Sequence, residues 1–71
     1  MKKYLKTVNI NGLCCCFHVK FSVSDLTQYM GFNSNVIVID YNGSILEKKK
    51  WEKTFLKNHD SIEILAIAGG G

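Results

Sequence analysis

The chain has 71 residues, a mass of 8.0 kDa and 46% hydrophobic residues, which is enough for one small domain. At this size folding buries only about 60% of the surface that the unfolded chain exposes, so the core is thin. A thin core leaves little room for a substrate cleft, which argues against a self-contained enzyme.

The chain carries nine basic and six acidic residues, a net charge of +3, and every basic residue is lysine. Nucleic-acid-binding proteins use arginine for bidentate contacts with guanine and phosphate, so a nucleic-acid partner is not expected. No stretch reaches the ~18 apolar residues of a membrane span, and polar residues interrupt the apolar region that an N-terminal signal peptide needs. We therefore expect no membrane partner and a protein that works where it is made.

The three cysteines, Cys14, Cys15 and Cys16, are adjacent in the sequence. Neighbouring positions of a strand point to opposite faces, so these residues do not form a disulfide framework and indicate a reducing compartment. Cys14, Cys16 and His18 share one strand face, but their spacing of roughly 6.5–7 Å is long for three ligands of one zinc ion, so we expect no metal site.

The composition, rich in lysine, isoleucine and asparagine, is typical of an A+T-rich genome. The expected location is the cytoplasm, or the plastid stroma if the gene is organellar.

The first third of the chain predicts a β-hairpin. Apolar and polar residues alternate over residues 6–10, as in a half-buried strand. Asn11 and Gly12 follow and are a strong hairpin-turn signal, because both residues tolerate positive φ. The return strand alternates again, with Phe17 and Val19 on the face that we expect to be buried.

A short helix is predicted after the hairpin. Ser22 is suited to be its N-cap, with Asp25 as the capping-box partner three residues later. Gly31 ends the helix after about two turns. A helix this short needs a sheet to lie across. Its narrow apolar stripe comprises Val23, Leu26 and Met30.

The second half of the chain predicts strands at residues 36–39 and 45–46, separated by a turn. One helical turn within residues 47–55 would direct both Trp51 and Phe55 into the core rather than towards a ligand. A last strand is predicted over residues 61–68, after another turn. Its alternation places two sets of residues on opposite faces, with Ile62, Ile64 and Ala66 inward and Glu63, Leu65 and Ile67 outward.

This order of elements predicts an α+β fold of the β-grasp type, with a mixed sheet of four to five strands, one crossing helix and a short helical turn. The crossover brings the last strand to the middle of the sheet, parallel to the first. Residues 1–68 would form the domain and residues 69–71 a flexible tail. The predicted core comprises Val8, Ile10, Phe17, Val19, Val23, Leu26, Met30, Ile45, Trp51, Leu56, Ile62 and Ile64.

Three glycines, Gly69, Gly70 and Gly71, follow the last strand. Without side chains they can thread a narrow channel and adopt the dihedral angles that another protein imposes. Fully extended, they reach about 10 Å beyond the domain. Such a tail is either a frayed terminus or a chain end that is itself a substrate, with its carboxyl group in a partner's pocket.

With this ending the chain resembles the small ubiquitin-like sulfur carriers, most closely the ThiS type of thiamine biosynthesis. The resemblance extends over essentially the whole chain and implies a ubiquitin-like β-grasp. The chain differs from the family in its net positive charge, since such carriers are often acidic. The glycines at the C-terminus are the most diagnostic feature. The resemblance rests on the chain length, residues 23–26, the stretch from Ile39 to Ile45 followed by Trp51, and residues 60–64 leading to residues 68–71.

The resemblance implies a carrier that is not itself an enzyme and binds no cofactor of its own. A ThiF-type adenylyltransferase would use ATP and Mg²⁺ to convert the Gly71 carboxylate into an acyl adenylate. A sulfur donor, such as a cysteine desulfurase or a sulfurtransferase, would then leave a thiocarboxylate on Gly71. Thiazole synthase of the ThiG type would take that sulfur for the thiazole moiety of thiamine. No residue would be catalytic, and Gly69 and Gly70 would be tail spacers.

Three alternatives stay open. The small sulfur-carrier subunit of molybdopterin synthase shares the fold and the tail chemistry, although the short length and the lack of a proline before the tail favour the thiamine pathway. A ubiquitin-like modifier would be conjugated to target lysines through Gly71. A β-grasp interaction module would work equally well without Gly70 and Gly71.

Apolar residues beside the tail are candidates for partner docking. Leu65 and Ile67 point away from the predicted core, as do two of residues 36–39, and an exposed apolar patch is typical of a transient interface. Coverage by neighbouring side chains or by an oligomer contact is the alternative. The lysine run at residues 48–50 could steer an acidic partner, although such a run is more often a solvated face.

Overall fold

The computed structural model describes residues 6–17 and 20–67. Within them, one α-helix, α1 (Val23–Met30), and two 3-10 segments, Ser34–Val36 and Lys48–Lys53, accompany five strands. The strands are β1 (Lys6–Ile10), β2 (Leu13–Phe17), β3 (Ile37–Tyr41), β4 (Ser44–Leu46) and β5 (Ser61–Ala66). They form a single mixed sheet in the order β2-β1-β5-β3-β4. None of the helices within the described residues is long and apolar enough to cross a membrane.

The last strand lies at the centre of the sheet, as predicted. β5 is parallel to β1 on one side, with Ile10 opposite Ile62, and antiparallel to β3 on the other. The hairpin turn is also confirmed, because Asn11 and Gly12 have φ values of 52° and 83°, the left-handed pair that a two-residue hairpin requires. The Asn11 side chain then extends the ladder beyond the turn, accepting a hydrogen bond from the Ile64 N–H at 2.7 Å.

The start and end of α1 follow the predicted signals. The Asp25 N–H donates to the Ser22 hydroxyl oxygen, and the Ser22 N–H donates to the Asp25 carboxylate, both at 3.0 Å. Gly31 ends the helix with a φ of 78°. Met30, predicted to be buried, is exposed. It lies beside the edge strand β2, where no further described strand covers the end of the helix.

The core lies between α1 and the face of the sheet that we call the inner face. Two of its residues, Ile37 and Ile39, were not predicted, because the unbroken apolar run at residues 36–39 does not reveal which positions point inward. The predicted core position of Ile45 is wrong, since its register places it opposite Asp40 on the other face. Phe17 is partly buried, and Val19 lies outside the described residues. The buried apolar residues are Val8, Ile10, Val23, Leu26, Ile37, Ile39, Trp51, Leu56, Ile62 and Ile64.

The two aromatic residues predicted to be buried together, Trp51 and Phe55, separate, since only Trp51 belongs to the second 3-10 segment. Trp51 is buried, and its indole N–H donates to the Leu46 carbonyl oxygen at 3.0 Å. Phe55 is exposed, contrary to prediction. The segment has three residues per turn instead of 3.6 and ends at Lys53, and Phe55 forms an extended bridge with Ser22. The four-residue spacing therefore does not place both rings on one side.

Four strand boundaries also differ from the prediction, among them the end of β3 at Tyr41 instead of residue 39 and the start of β4 at Ser44 instead of residue 45. Val36 belongs to the first 3-10 segment, so β3 begins one residue later than the apolar run. The strand β5 ends at Ala66, and Ala66 is exposed although the alternation places it on the inner face. It lies opposite Ile37 at the end of both strands, where the sheet itself ends. Ala68 lies outside the described residues.

Candidate functional site

The candidate site begins where the central strand ends. β3 holds β5 as far as the last described residue, because the Ile67 N–H donates to the Val36 carbonyl oxygen at 2.8 Å. The predicted sulfur-carrying residue Gly71 and the spacers Gly69 and Gly70 lie outside the described residues. In the sequence, only Ala68 separates Ile67 from these glycines. The sheet therefore fixes the chain to within two residues of the glycine tail.

An apolar patch lies beside this end of β5. The face of the sheet opposite α1, called the outer face below, carries Leu65 and Ile67, which are 50% and 44% exposed. Val38 lies directly opposite Leu65. Ile45 is 63% exposed and stands diagonally from Val38 across the β3–β4 pair, within reach of a shared contact. The two residues predicted for docking thus belong to a larger apolar patch on three strands.

Two acidic residues on the outer face adjoin this patch. Asp40 lies opposite Glu63 on the neighbouring strand and opposite Ile45 on the other side. Like charges in directly opposite positions destabilise a sheet, so this pair lowers the free energy of unfolding. No local sequence pattern indicates this pair, since the two residues are far apart in the chain and only the strand register brings them together. The outer face therefore combines an apolar surface with negative charge.

A buried carboxylate, Asp60, organises the opposite end of β5. It accepts hydrogen bonds from the Tyr41 hydroxyl at 2.6 Å, the Lys57 N–H at 2.7 Å and the Asn42 amide at 3.1 Å. Burial alone would raise the pKa of Asp60, but these hydrogen bonds outweigh it and lower the pKa below its usual value. Burial and the same contact raise the pKa of Tyr41 to about 12. This network directly precedes β5 in the chain, whereas the glycines follow the strand. It therefore stabilises the start of β5 and has no part in the candidate site.

The three cysteines lie on the edge strand β2, away from the tail. Cys14 and Cys16 are exposed opposite Asn9 and Thr7, Cys15 is half-buried on the inner face, and all three thiols are free. Within residues 6–17 and 20–67, no three His, Cys, Asp or Glu side chains group as metal ligands. His18, considered for such a group, lies outside these ranges.

A mixed sheet with the C-terminal strand at its centre and one crossing helix defines a ubiquitin-like β-grasp protein. The sequence model of the ThiS family matches residues 8–71, nearly the whole chain. The chain belongs to the ThiS family of ubiquitin-like sulfur carriers. Membership implies, in general terms, interaction with an adenylyltransferase and with sulfur-transfer partners.

The chain is also similar to individual proteins. The chain is 44% identical over 66 residues to uncharacterized protein ycf40 of Trieres chinensis, covering 93% of this chain and 90% of the relative. It is 32% identical over 65 residues to uncharacterized protein ycf40 of Porphyra purpurea, covering 92% of each. The crystal structure of the thiamine biosynthesis protein ThiS from Geobacter metallireducens has the same fold. The two structures superpose with a TM-score of 0.79 and are 24% identical in sequence, and the match covers 92% of this chain and 99% of the Geobacter protein.

Proposed function

We propose that this protein carries sulfur for the thiazole moiety of thiamine, as a thiocarboxylate on Gly71. The observation that carries the proposal is that the ThiS family match extends to residue 71, so the glycine tail belongs to the shared region. The attachment of β5 to β3 up to Ile67 supports it, since the domain would present the tail from a fixed base. Because its three cysteines are neighbours on one strand and cannot pair with one another, we place the protein in a reducing compartment, the cytoplasm or the plastid stroma.

The proposed chemistry starts from a carboxylate, which is a poor electrophile because its charge is delocalised and it has no good leaving group. A ThiF-type adenylyltransferase, using ATP and Mg²⁺, joins the Gly71 carboxylate to AMP and releases pyrophosphate. A persulfide from a cysteine desulfurase or a sulfurtransferase attacks the acyl carbon and displaces AMP. A second thiol cleaves the resulting acyl disulfide, is itself oxidised to a disulfide, and leaves the thiocarboxylate. Thiazole synthase then takes the sulfur.

The partners would dock on the outer face beside the tail. Leu65, Ile67 and Val38 offer apolar area, and the carboxylates of Asp40 and Glu63 would attract a basic rim on the partner. The local negative charge matters because the chain as a whole is positive. A partner that recognises acidic carriers would therefore meet an acidic surface here in spite of the net charge.

Intact-mass measurement tests the proposal. The protein is incubated with ATP, Mg²⁺, a ThiF-type adenylyltransferase and a sulfur donor, and we expect a mass gain equal to the exchange of one oxygen for sulfur. Oxidation of cysteine or methionine adds a similar mass, so the C-terminal peptide is fragmented and a variant lacking Gly71 is run in parallel. An exchange that maps to Gly71 and disappears in the variant supports sulfur carriage.

Other outcomes of the same assay identify the alternatives. Adenylation of Gly71 without sulfur transfer, accompanied by isopeptide-linked adducts in cells, would favour a ubiquitin-like modifier. No reaction with a competent adenylyltransferase would leave a β-grasp interaction module. Once the thiocarboxylate is made, its consumption by thiazole synthase instead of the large subunit of molybdopterin synthase decides between the two pathways.

A further inference from the structure

A groove on the helix side of the molecule has no part in the proposed sulfur chemistry. It lies between α1 and the second 3-10 segment and has a volume of about 670 Å³, within the range of ligand-binding clefts. We call it the lysine groove. Because α1 packs on the inner face, the groove faces away from the outer face and from the proposed docking patch. Its lining includes Ser24, Gln28, Phe32, Lys48, Lys49 and Trp51.

The groove combines aromatic surface with positive charge. Phe32 is exposed and supplies most of the aromatic surface, whereas the Trp51 ring is buried and is fixed by the hydrogen bond from its indole N–H to the Leu46 carbonyl oxygen. The Lys48 ammonium group donates to the Asn35 side-chain oxygen at 2.8 Å, which orients it and leaves two of its three N–H groups for a ligand. Lys49 is 3.8 Å from the Glu47 carboxylate, an exposed ion pair that a ligand can displace at little cost.

Charge complementarity identifies the kind of ligand. Two lysines, Lys48 and Lys49, line the groove, and the segment of residues 47–53 that forms this wall carries four lysines against two glutamates. Among the described residues, Glu52 is the sole acidic side chain in the lining. The outer face, by contrast, presents the Asp40–Glu63 pair. A partner surface suited to one face is therefore electrostatically unsuited to the other.

The ligand chemistry is that of a polypeptide and not of a phosphate. Phosphate sites are commonly built on arginine forks or on several free N–H groups at the start of a helix, to which lysine adds a point charge. The chain has no arginine, and the N–H groups of Ser22, Val23 and Asp25 at the start of α1 already donate to acceptors within the chain. Aromatic surface beside two ammonium groups instead suits a segment in which apolar side chains alternate with carboxylates.

We propose that the lysine groove binds an extended acidic segment of a partner protein, on the side of the domain opposite the outer face. Such binding goes beyond sulfur carriage and would occur whichever sulfur pathway the tail serves. Since the two surfaces are on opposite sides, one partner segment can occupy the groove while another protein holds the outer face.

The test is an NMR titration of the full chain with a synthetic peptide of repeating Asp-Glu-Leu units. We expect saturable shifts in the Ser24, Gln28 and Phe32 backbone N–H signals and in the Trp51 indole signal. A peptide with Asn and Gln in place of the acids should not bind. Raising the salt concentration should weaken binding of the acidic peptide.

Matched charge variants locate the binding. The variant K48Q/K49Q removes two charges from the groove and should weaken binding by up to about tenfold. The variant K20Q/K57Q removes two charges outside the lining and should leave the affinity within about twofold. Urea denaturation of both variants verifies that they fold.

Four results would overturn the proposal. They are equal weakening by both double variants, shifts centred on Val38 and Leu65, tighter binding of inorganic tripolyphosphate than of the peptide at the same residues, and concentration-dependent shifts of those residues without peptide. The third would define an anion site, and the fourth a contact with a second copy of the chain. None of them depends on whether Gly71 carries sulfur, so the failure of either proposal is recognised separately.

Discussion

Asp60 shows how one buried side chain joins three segments of the chain. Its carboxylate links the end of β3 through Tyr41, the following turn through Asn42 and its own loop through Lys57. In a buried setting such hydrogen bonds stabilise the ionised carboxylate and the neutral phenol together. The pKa of Asp60 falls and the pKa of Tyr41 rises to about 12. The hydrogen bond between the two side chains therefore stabilises the fold most at neutral pH, where Asp60 is ionised and Tyr41 is not.

The raised pKa of Tyr41 predicts a loss of stability in alkali. A phenol whose pKa is higher in the folded state contributes stability that is fully present below its unfolded pKa of about 10. That contribution is lost as the pH rises through about 12. We expect the unfolding free energy of the native chain to fall over this range, and Tyr41→Phe to flatten the fall. Urea denaturation followed by Trp51 fluorescence measures both, and an equally steep fall in Tyr41→Phe would contradict the assignment.

At the scale of elements, each part of the fold begins or ends at a local signal, while its neighbours decide what it buries. The capping box at Ser22 and the glycine at the end of α1 define the helix, and Asn11-Gly12 defines the hairpin. Burial then depends on position in the sheet. Met30 is exposed because it lies beside an edge strand, and Ile45 because the register of β4 turns it outward.

The capping box predicts a specific helix variant. Ser22→Ala removes the acceptor for the Asp25 N–H and should lower the unfolding free energy by about 1 kcal/mol. Ser24→Ala, in the first turn of the same helix, removes a hydroxyl that does not cap it and should change stability by no more than about 0.5 kcal/mol. Thermal or urea denaturation compares the two, and equal effects would show that the cap contributes nothing specific.

At the scale of the whole molecule, the two faces of β5 have different roles, one in the core and one at the surface. Ile64 points into the core and is buried, while the next residue, Leu65, lies half-exposed on the outer face. The central strand thus holds the domain together with one set of side chains and offers the other set to a partner. Lys48 and Lys49 lie in the groove beside α1, whereas the outer face carries Asp40 and Glu63, so the molecule is also divided by charge.

Neighbouring substitutions on β5 test this separation. Ile64→Ala should lower the unfolding free energy by about 2–5 kcal/mol, and Ile64→Val, which keeps the domain folded, by about 1 kcal/mol. Leu65→Ala should cost no more than about 0.5 kcal/mol. It should nevertheless lower kcat/KM for thiocarboxylation by the adenylyltransferase by about tenfold, because it removes apolar contact area at the docking patch. Undiminished thiocarboxylation of Leu65→Ala would place the docking surface elsewhere.

The sequence by itself determined the features that depend on neighbouring residues. The turn at Asn11-Gly12, the capped helix and the alternation of β5 are local, because backbone conformation and side-chain period are set within a few positions. The β-grasp order follows, since a hairpin, a crossing helix and a central last strand are compatible with few topologies. The three glycines at residues 69–71, which the family match includes, are also evident from the sequence itself.

The tertiary structure alone decided which distant residues meet. The Asp40–Glu63 pair depends on the register between β3 and β5, and the lysine groove on how the second 3-10 segment lies against α1. The outward position of Phe55 depends on a 3-10 turn replacing an α-turn and on its bridge to Ser22. These features need the packing of segments far apart in the chain, and a local pattern carries no information about register or crossing. The charge division of the surface is therefore a property of the fold and not of the composition.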